Sequence, residues 1–296
     1  MNVVAIVPVK ISDSSSKWML RDIQGKTPLE HTVLGLIDSG LYNDVIIAAA
    51  NDGHGEYYSE IASRSGAKLF LGEEDNITKR IKSALSEHRY TDGIAVRVNG
   101  ENIFNLPSLA EKILDAVKGG VDYAHLCGLP NGLAPDAISI TALQEHEEMK
   151  APYYRTLRVG IGDVPVKRVD TGFELEEISF AAFDDEAGDL FNHLSSALPR
   201  VNIEQFLESA RCFYSDRLES AANPQKRKMN FKLNAVERGL KLDQLSSMPV
   251  GISLGISDLC NLKCVTCVQS FNNLTQEEFN SEFEEAVIQG EGIGSI

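Results

Sequence analysis

The apolar positions of this chain fall first into short, nearly unbroken runs. Residues 3–8 (VVAIVP), 44–50 (DVIIAAA) and 94–98 (IAVRV) are dominated by β-branched or small apolar side chains. Runs of that kind read as strands buried on both faces of a sheet. Residues 68–71, 122–125, 136–140 and 166–169 give weaker strand patterns. Between the strands the apolar spacing opens to three and four residues, over 27–39, 57–65, 77–87 and 107–117, which is the spacing of one helix face. Thr27-Pro28-Leu29-Glu30 supplies a capping residue, a proline suited to the first helical position and an acid that completes a capping box. Strands alternating with helices through roughly the first 120 positions predict parallel crossover units, with helices on both faces of the sheet.

The pattern continues less regularly. Residues 9–26 carry polar and basic side chains without periodicity and predict a loop. Thr141 and Gln144 form a second capping box, opening a helix to about residue 149. Residues 185–211 are helical in pattern, with Pro199 as a break, and 220–224 is the best linker. A helix over 230–240 precedes Met248-Pro249 and a new strand at 251–256 (GISLGI). These signals divide the chain into residues 1–215, an α/β domain, 216–248, a helical linker, and 249–296, the start of another domain.

One stretch carries candidate chemistry. The buried run at 94–98 ends abruptly in Asn99-Gly100-Glu101, turn residues followed by a carboxylate. In an open parallel sheet, ligands bind beyond the carboxyl ends of the strands. An acid there can hold a hard cation against a nucleotide's phosphates. Read alone, Glu101 serves equally well as a solvated turn residue.

Composition narrows the classes. The chain has 296 residues, 43% hydrophobic and 24% charged, ordinary for a globular protein. Its net charge of −15 is spread along the sequence and repels a phosphate backbone, which argues against nucleic acid as a partner. Lys226-Arg227-Lys228 is the one basic cluster and is short. No apolar run approaches the about 20 residues that span a bilayer, and the N-terminus has no charged leader segment. A cytoplasmic protein with no membrane partner is expected. Of five cysteines, Cys260, Cys264 and Cys267 are packed together, which favours metal or cluster ligation over a disulfide framework. Cys127 and Cys212 are isolated and read as buried apolar residues.

With these residues laid out, the first 210 or so positions resemble the cytidylyltransferase superfamily that activates sugars, near the spore-coat polysaccharide and acylneuraminate branches. The resemblance rests on a first strand ending at Pro8, a polar and basic loop, and Gly25-Lys26-Thr27-Pro28-Leu29-Glu30-His31. Phe70-Leu71-Gly72-Glu73-Glu74-Asp75-Asn76, Val96-Arg97-Val98-Asn99-Gly100-Glu101-Asn102, Asp122-Tyr123, Leu129-Pro130-Asn131-Gly132-Leu133 and Val169-Asp170-Thr171 follow in order. It implies a Rossmann-like nucleotidyltransferase domain, in which a sugar hydroxyl attacks the α-phosphorus of CTP and pyrophosphate leaves. It also implies that Glu101 and Asp170 bind Mg²⁺ and that Lys10 and Lys17 act on the triphosphate. Lys26, Arg97 and Asn99 are then further nucleotide contacts. The first loop departs from the family pattern. The glycine that lets backbone amides approach a phosphate is missing, and lysines stand where the family has arginines.

Cys260-Asn-Leu-Lys-Cys264-Val-Thr-Cys267 has the C-x3-C-x2-C spacing and follows an apolar strand. It resembles the entry to a radical S-adenosylmethionine domain, a (β/α) barrel. The resemblance implies a [4Fe–4S] cluster on the three thiolates, with S-adenosylmethionine on the open iron. Zinc is the rival ligand, although no second C-x2-C is present. Only 29 residues follow Cys267, so a truncated barrel is expected.

The two resemblances together imply a cytidylyltransferase-like enzyme of surface-polysaccharide or nucleotide-sugar metabolism, fused to an incomplete radical module. Its small-molecule partners are a nucleoside triphosphate and a small sugar, and a homodimer is compatible with them. Two other readings stay open. One is a recognition domain that binds nucleotide or sugar without turnover. The other is a glycosyltransferase, which needs a D-x-D-like motif that Asn99-Gly100-Glu101 does not supply.

Overall fold

The computed structural model describes residues 1–145, 165–194 and 198–250. The chain divides into two compact units, 1–248 and 249–296, and the description below concerns the first. Its strands are β1 (Val3–Val9), β2 (Asp44–Ala50), β3 (Lys68–Gly72), β4 (Ile94–Arg97), β5 (Tyr123–Cys127), β6 (Asp136–Ser139) and β7 (Val166–Asp170). They form one sheet in the order β3-β2-β1-β4-β6-β5-β7. The helices are α1 (Asp13–Met19), α2 (Pro28–Asp38), α3 (Gly55–Ser65), α4 (Ile77–Glu87), α5 (Pro107–Lys118) and α6 (Ile140–Glu145). After β7 come α7 (Asp185–Leu194), a 3-10 turn at Leu198–Arg200, α8 (Ile203–Leu218) and α9 (Asn223–Gly239).

Strand alternation assigns the two faces. Val3, Ala5, Val7 and Val9 of β1 point into one core with Val45, Ile47, Ile94 and Val96. Leu29 and Val33 of α2, Tyr58 and Ile61 of α3, Ile113 of α5 and Phe206 of α8 close that core. Val4 and Ile6 point the other way, with Ile46, Ala48 and Ala95, against Ile81, Ala84 and Leu85 of α4 and Leu143 of α6. A sheet covered on both faces is why these strands read as continuous apolar runs.

The parallel units expected over the first 120 or so positions are present: the pairs β1–β2, β1–β4 and β2–β3 are parallel, as is β5–β7. Beyond them the sheet is mixed, because β6 runs antiparallel to both β4 and β5. Period-2 patterning fixes which face a residue occupies but carries no strand direction. One expectation is corrected: the 9–26 loop contains α1, capped by a reciprocal Ser12/Ser15 box and anchored by the buried Met19. The stretch 216–248 is helical over α9. Leu233, Ala235 and Val236 of α9 are buried in the first core beside Phe213 and Tyr214 of α8. Lys228, from the basic cluster, pairs with Asp184 at 2.5 Å. The segment after α9 is fastened back onto it, because Glu237 is fully buried and accepts from the Ser246 and Ser247 amides at 2.7 and 3.0 Å.

Both predicted capping boxes dissolve into tertiary contacts or shift. The Thr27 hydroxyl accepts from Tyr57 Oη at 2.8 Å, and Glu30 pairs with Arg64 at 3.1 Å. The helix expected to open at Thr141 opens at Ile140, with Ser139 Oγ accepting from the Ala142 amide at 3.3 Å. Among the described residues no helix is long and apolar enough to cross a membrane.

Candidate functional site

The strands β1, β4, β5 and β7 run in the same direction, so their carboxyl ends share one rim. The connection after β4 is fixed there by its backbone. The Gly100 amide donates to the Pro8 carbonyl at 3.2 Å, and the Thr32 hydroxyl donates to the Gly100 carbonyl at 3.0 Å. A Cβ on Gly100 would stand 3.2 Å from both Val9 and Leu29, so glycine is what lets this turn lie against β1. The next carbonyl, that of Glu101, accepts from the Ile103 and Ala182 amides at 3.1 and 3.0 Å. Glu101 is thereby fixed at the rim with its side chain half-buried. Among the described residues no lysine or arginine pairs with its carboxylate. Burial pushes that carboxyl above its ordinary range, against its own backbone amide, the Arg97 charge and the Asn99 side chain, which pull it down.

Arg97 is engaged below the rim. Its Nε donates to Asp136 Oδ1 at 2.9 Å, its Nη2 donates to Asp136 Oδ2, and its Nη1 donates to Asn99 Oδ1 at 2.8 Å. The Tyr123 hydroxyl donates to the same Asp136 Oδ2 at 3.2 Å. This bidentate pair lies on the α4 and α6 face, beside Thr78, Ile81 and Leu143.

The lysines expected to meet a triphosphate sit in three different settings. Lys10, at the end of β1, pairs with Glu74 at 2.9 Å and Asp75 at 3.1 Å in the β3–α4 connection. Its hydrogen bonds to Glu74 first and Asp75 second raise its pKa. Lys17 lies on α1 with its ammonium 4.4 Å from the Trp18 ring centroid. Lys26 exchanges backbone hydrogen bonds with Ile23 and lines a cavity of about 230 Å³ with His31, Asn105 and Phe191. Residues 13–19, within the stretch expected to be a loop, are wound into a helix, and the Ser15 and Ser16 amides both donate to the Ser12 carbonyl at 2.9 and 2.8 Å.

Asp170 closes β7, opposite Cys127 of β5. It is exposed, and its Oδ1 accepts from the Gly172 amide at 2.9 Å. Two strands lie between β4 and β7, so Glu101 and Asp170 share a rim but start from backbones roughly 14 Å apart at the usual strand spacing. A second opening, of about 270 Å³, lies beside Asp170 and is lined by His125, Cys127, Asn131 and Glu176. Gly128 and Gly132 shape its edge. Both have positive φ, and a Cβ on either would collide with the backbone of Phe173 or Ala181.

Sequence reasoning missed two organising residues. Asp52 is nearly buried and accepts from the Ile11 amide and the Tyr58 hydroxyl, each at 2.7 Å, and from the His54 amide at 3.1 Å. Burial raises its pKa, but these donors outweigh burial and hold it below the usual carboxylate range. Arg80, 3% exposed, donates to the carbonyls of Ala48, Glu73 and Glu74 and so sets the loop that carries the partners of Lys10. Neither lies in a recognisable motif. Asp52, following a strand and preceding a helix, offered the only local signal. Of the isolated cysteines, Cys127 is half-buried and Cys212 is exposed, which corrects the reading of both as buried. Cys260, Cys264 and Cys267 lie outside the described residues. Among the described residues no three His, Cys, Asp or Glu side chains cluster closely enough to hold a metal by themselves.

No protein-family model matches the chain, and no curated protein matches it in sequence. Solved structures do match in fold. A cytidylyltransferase from Leptospira borgpetersenii serovar Hardjo-bovis superposes with a TM-score of 0.62 at 13% identity, over 72% of this chain and 94% of that one. A CMP:2-keto-3-deoxy-manno-octonic acid synthetase complexed with CTP gives a TM-score of 0.45 at 15% identity, over 58% and 91%. A 4-diphosphocytidyl-2C-methyl-D-erythritol synthase from Anaerococcus prevotii gives 0.46 at 12% identity, over 66% and 96%. At such identities the likeness is one of fold: a mixed α/β, Rossmann-like nucleotidyltransferase architecture.

Proposed function

We propose that residues 1–215 form a cytidylyltransferase domain that moves CMP from CTP to a sugar hydroxyl. The hydroxyl oxygen bonds to the α-phosphorus and its proton passes to solvent, the bond from that phosphorus to the bridging oxygen breaks, and pyrophosphate leaves with the electron pair. The observation that carries this reading is Glu101, a half-buried carboxylate without an ionic partner at the carboxyl end of a central strand. It stands in a fold shared with a known cytidylyltransferase. Such a carboxylate fits a divalent cation. Mg²⁺ is bound through one or two carboxylates plus substrate phosphates, so no cage of three acids is required. Glu101 would hold it, with Asp170 on the same rim as a second candidate acid, and it would neutralise charge that builds on the phosphates. Lys10, with Lys17 and Lys26 as further candidates, would meet the triphosphate.

Calorimetric titration of CTP in the presence of Mg²⁺, paired with pyrophosphate release over a panel of sugars, tests the proposal. CTP binding followed by sugar-dependent pyrophosphate release supports it. Binding without release favours the recognition-domain reading. Two observations favour that second reading: the helical first loop, and the capture of Lys10 by Glu74 and Asp75.

Lys10 gives a direct probe of the competition. Lys10→Ala should weaken CTP binding by roughly 10- to 100-fold if its ammonium meets the triphosphate. The double substitution Glu74→Gln with Asp75→Asn releases the same ammonium and should tighten CTP several-fold. Unchanged affinity in Lys10→Ala would remove this lysine from the site.

We further propose that Cys260, Cys264 and Cys267 hold a [4Fe–4S] cluster that would bind S-adenosylmethionine, on the strength of their spacing alone. Anaerobic reconstitution with iron and sulfide should give a brown protein, and Cys264→Ala should lose the colour. A colourless, zinc-loaded product would contradict the assignment.

A further inference from the structure

We infer that one face of α9 is a main-chain clamp, which holds residues 246–248 by their backbone and so fixes the point from which the chain enters its second unit. None of its members belongs to the candidate transferase site, so the clamp stands or falls apart from that reading.

Three side chains make the clamp. Asn230, Asn234 and Glu237 follow one another along α9 at spacings of four and three residues, which places them on one stripe of the helix. Asn230 takes both main-chain groups of a single residue. Its Oδ1 accepts from the Met248 amide at 2.7 Å, and its Nδ2 donates to the Met248 carbonyl at 2.9 Å. A carboxamide carries an acceptor and a donor side by side, the complement of the N–H and C=O of one residue. The pair also settles which way round the Asn230 amide lies. Glu237 takes the two preceding amides. Its Oε1 accepts from Ser246 at 2.7 Å and its Oε2 from Ser247 at 3.0 Å. Between them, Asn234 Nδ2 donates to Ser247 Oγ at 3.1 Å. Three consecutive amides are thus satisfied by one helix, in reverse order, so the segment runs antiparallel to α9.

The hold is polar and is exerted on the backbone. Met248 is 67% exposed and Leu245 48% exposed, so burial of their apolar side chains is not what seats the segment. The seat is built without it. Leu233 and Val236 bury the neighbouring face of α9 in the first core, and Lys232 pairs with Glu186 at 3.0 Å. Glu237 is fully buried, and a carboxylate there needs donors, which the Ser246 and Ser247 amides supply.

The consequence lies in the connection. α9 ends at Gly239, Lys241 turns the chain with a φ of 56°, and residues 240–248 come back to the helix. The second unit begins at Pro249, immediately after the clamp. Released, residues 240–248 could extend by roughly 30 Å, at about 3.3 Å per residue. Held, they contribute no slack, and the tether starts at Met248 and not at the end of α9. Tether length sets the effective concentration of one linked unit at the other, so the clamp controls that quantity.

Hydrogen exchange of the full chain, resolved to single amides, tests the clamp. Corrected for intrinsic rates, the amides of Ser246, Ser247 and Met248 should exchange about tenfold or more slowly than those of Gln244 and Leu245. Asn230→Leu should return the Met248 amide to the rate of those neighbours. Glu237→Gln, with one acceptor oxygen in place of two, should release at least one of the Ser246 and Ser247 amides. Met248→Ala should leave all three protected, because the side chain is not what is held. The Leu233 and Val236 amides report whether α9 itself survives. The two clamp variants act on different amides, so either decides if the other unfolds the helix. In small-angle X-ray scattering, the double variant Asn230→Leu with Glu237→Gln should show a larger maximum dimension than the parent. Parent amides at 246–248 that exchange as fast as Gln244 would overturn the clamp. So would protection that is lost in Met248→Ala and kept in Asn230→Leu. Lost protection with an unchanged maximum dimension would overturn its role as the origin of the tether.

Discussion

Replacing Glu101 with glutamine is expected to abolish pyrophosphate release and leave the fold slightly more stable. The two effects have one cause. Glu101 is a half-buried carboxylate with no ionic partner among the described residues, and burial raises its pKa. The neutral amide keeps the shape and removes a charge that the folded chain solvates poorly. A carboxyl whose folded pKa lies above its ordinary value of 4.5 costs stability as pH rises through that window. The advantage of glutamine should therefore be absent below the ordinary value and present at neutral pH. Activity should move the other way. A cation held against developing phosphate charge is worth several kcal/mol, so its loss should cost about 10³-fold or more in rate. Pyrophosphate release and thermal unfolding, measured on one preparation, check both. A variant that melts lower and keeps its activity would show Glu101 to be a structural residue, and the proposed chemistry would lose its anchor.

What could be read in advance follows from how much each signal is local. The buried strands were legible because a doubly covered sheet leaves its mark on every residue of a run, as in Val3–Val9 and Asp44–Ala50. The parallel pairing of β1 to β4 was legible in the helices between those strands; the direction of β6 was not, since it is antiparallel because of where the chain returns, which no residue of Asp136–Ser139 encodes. The helix Asp13–Met19 was hidden by its serines, which favour turns in isolation. It forms because Met19 is buried and Ser12 and Ser15 cap it reciprocally. Thr27 and Glu30 had the right spacing for a capping box, yet Tyr57 and Arg64 reach them from another helix and compete successfully.

The candidate site divides in the same manner. Glu101 was legible because turn chemistry after a buried run marks the end of a strand. The partnership of Arg97 with Asp136 was not, since the two are 39 residues apart and meet only through the register of β4 and β6. Nor could the sequence reveal that Lys10 is held by Glu74 and Asp75, because the loop that carries them is shaped by Arg80 from inside α4. Residue type located the acid; tertiary structure decides which cations are free to join it.

The Arg97–Asp136 pair should produce the largest stability effects in this domain, and of opposite kinds. The two side chains are 10% and 3% exposed. Removing one member leaves a buried charge without its partner, which typically costs about 3–5 kcal/mol. Asp136→Leu or Arg97→Met alone should then lower the melting temperature by roughly 6–20 °C in a domain of this size. Changing both together removes the unpaired charge. Hydrophobic replacement of a buried pair is often neutral or stabilising, so the double variant should recover most of the loss, to within about 2 kcal/mol of the parent. Thermal unfolding of the two single variants and the double variant measures the coupling directly. Additive losses would mean that the guanidinium and carboxylate do not act as a unit.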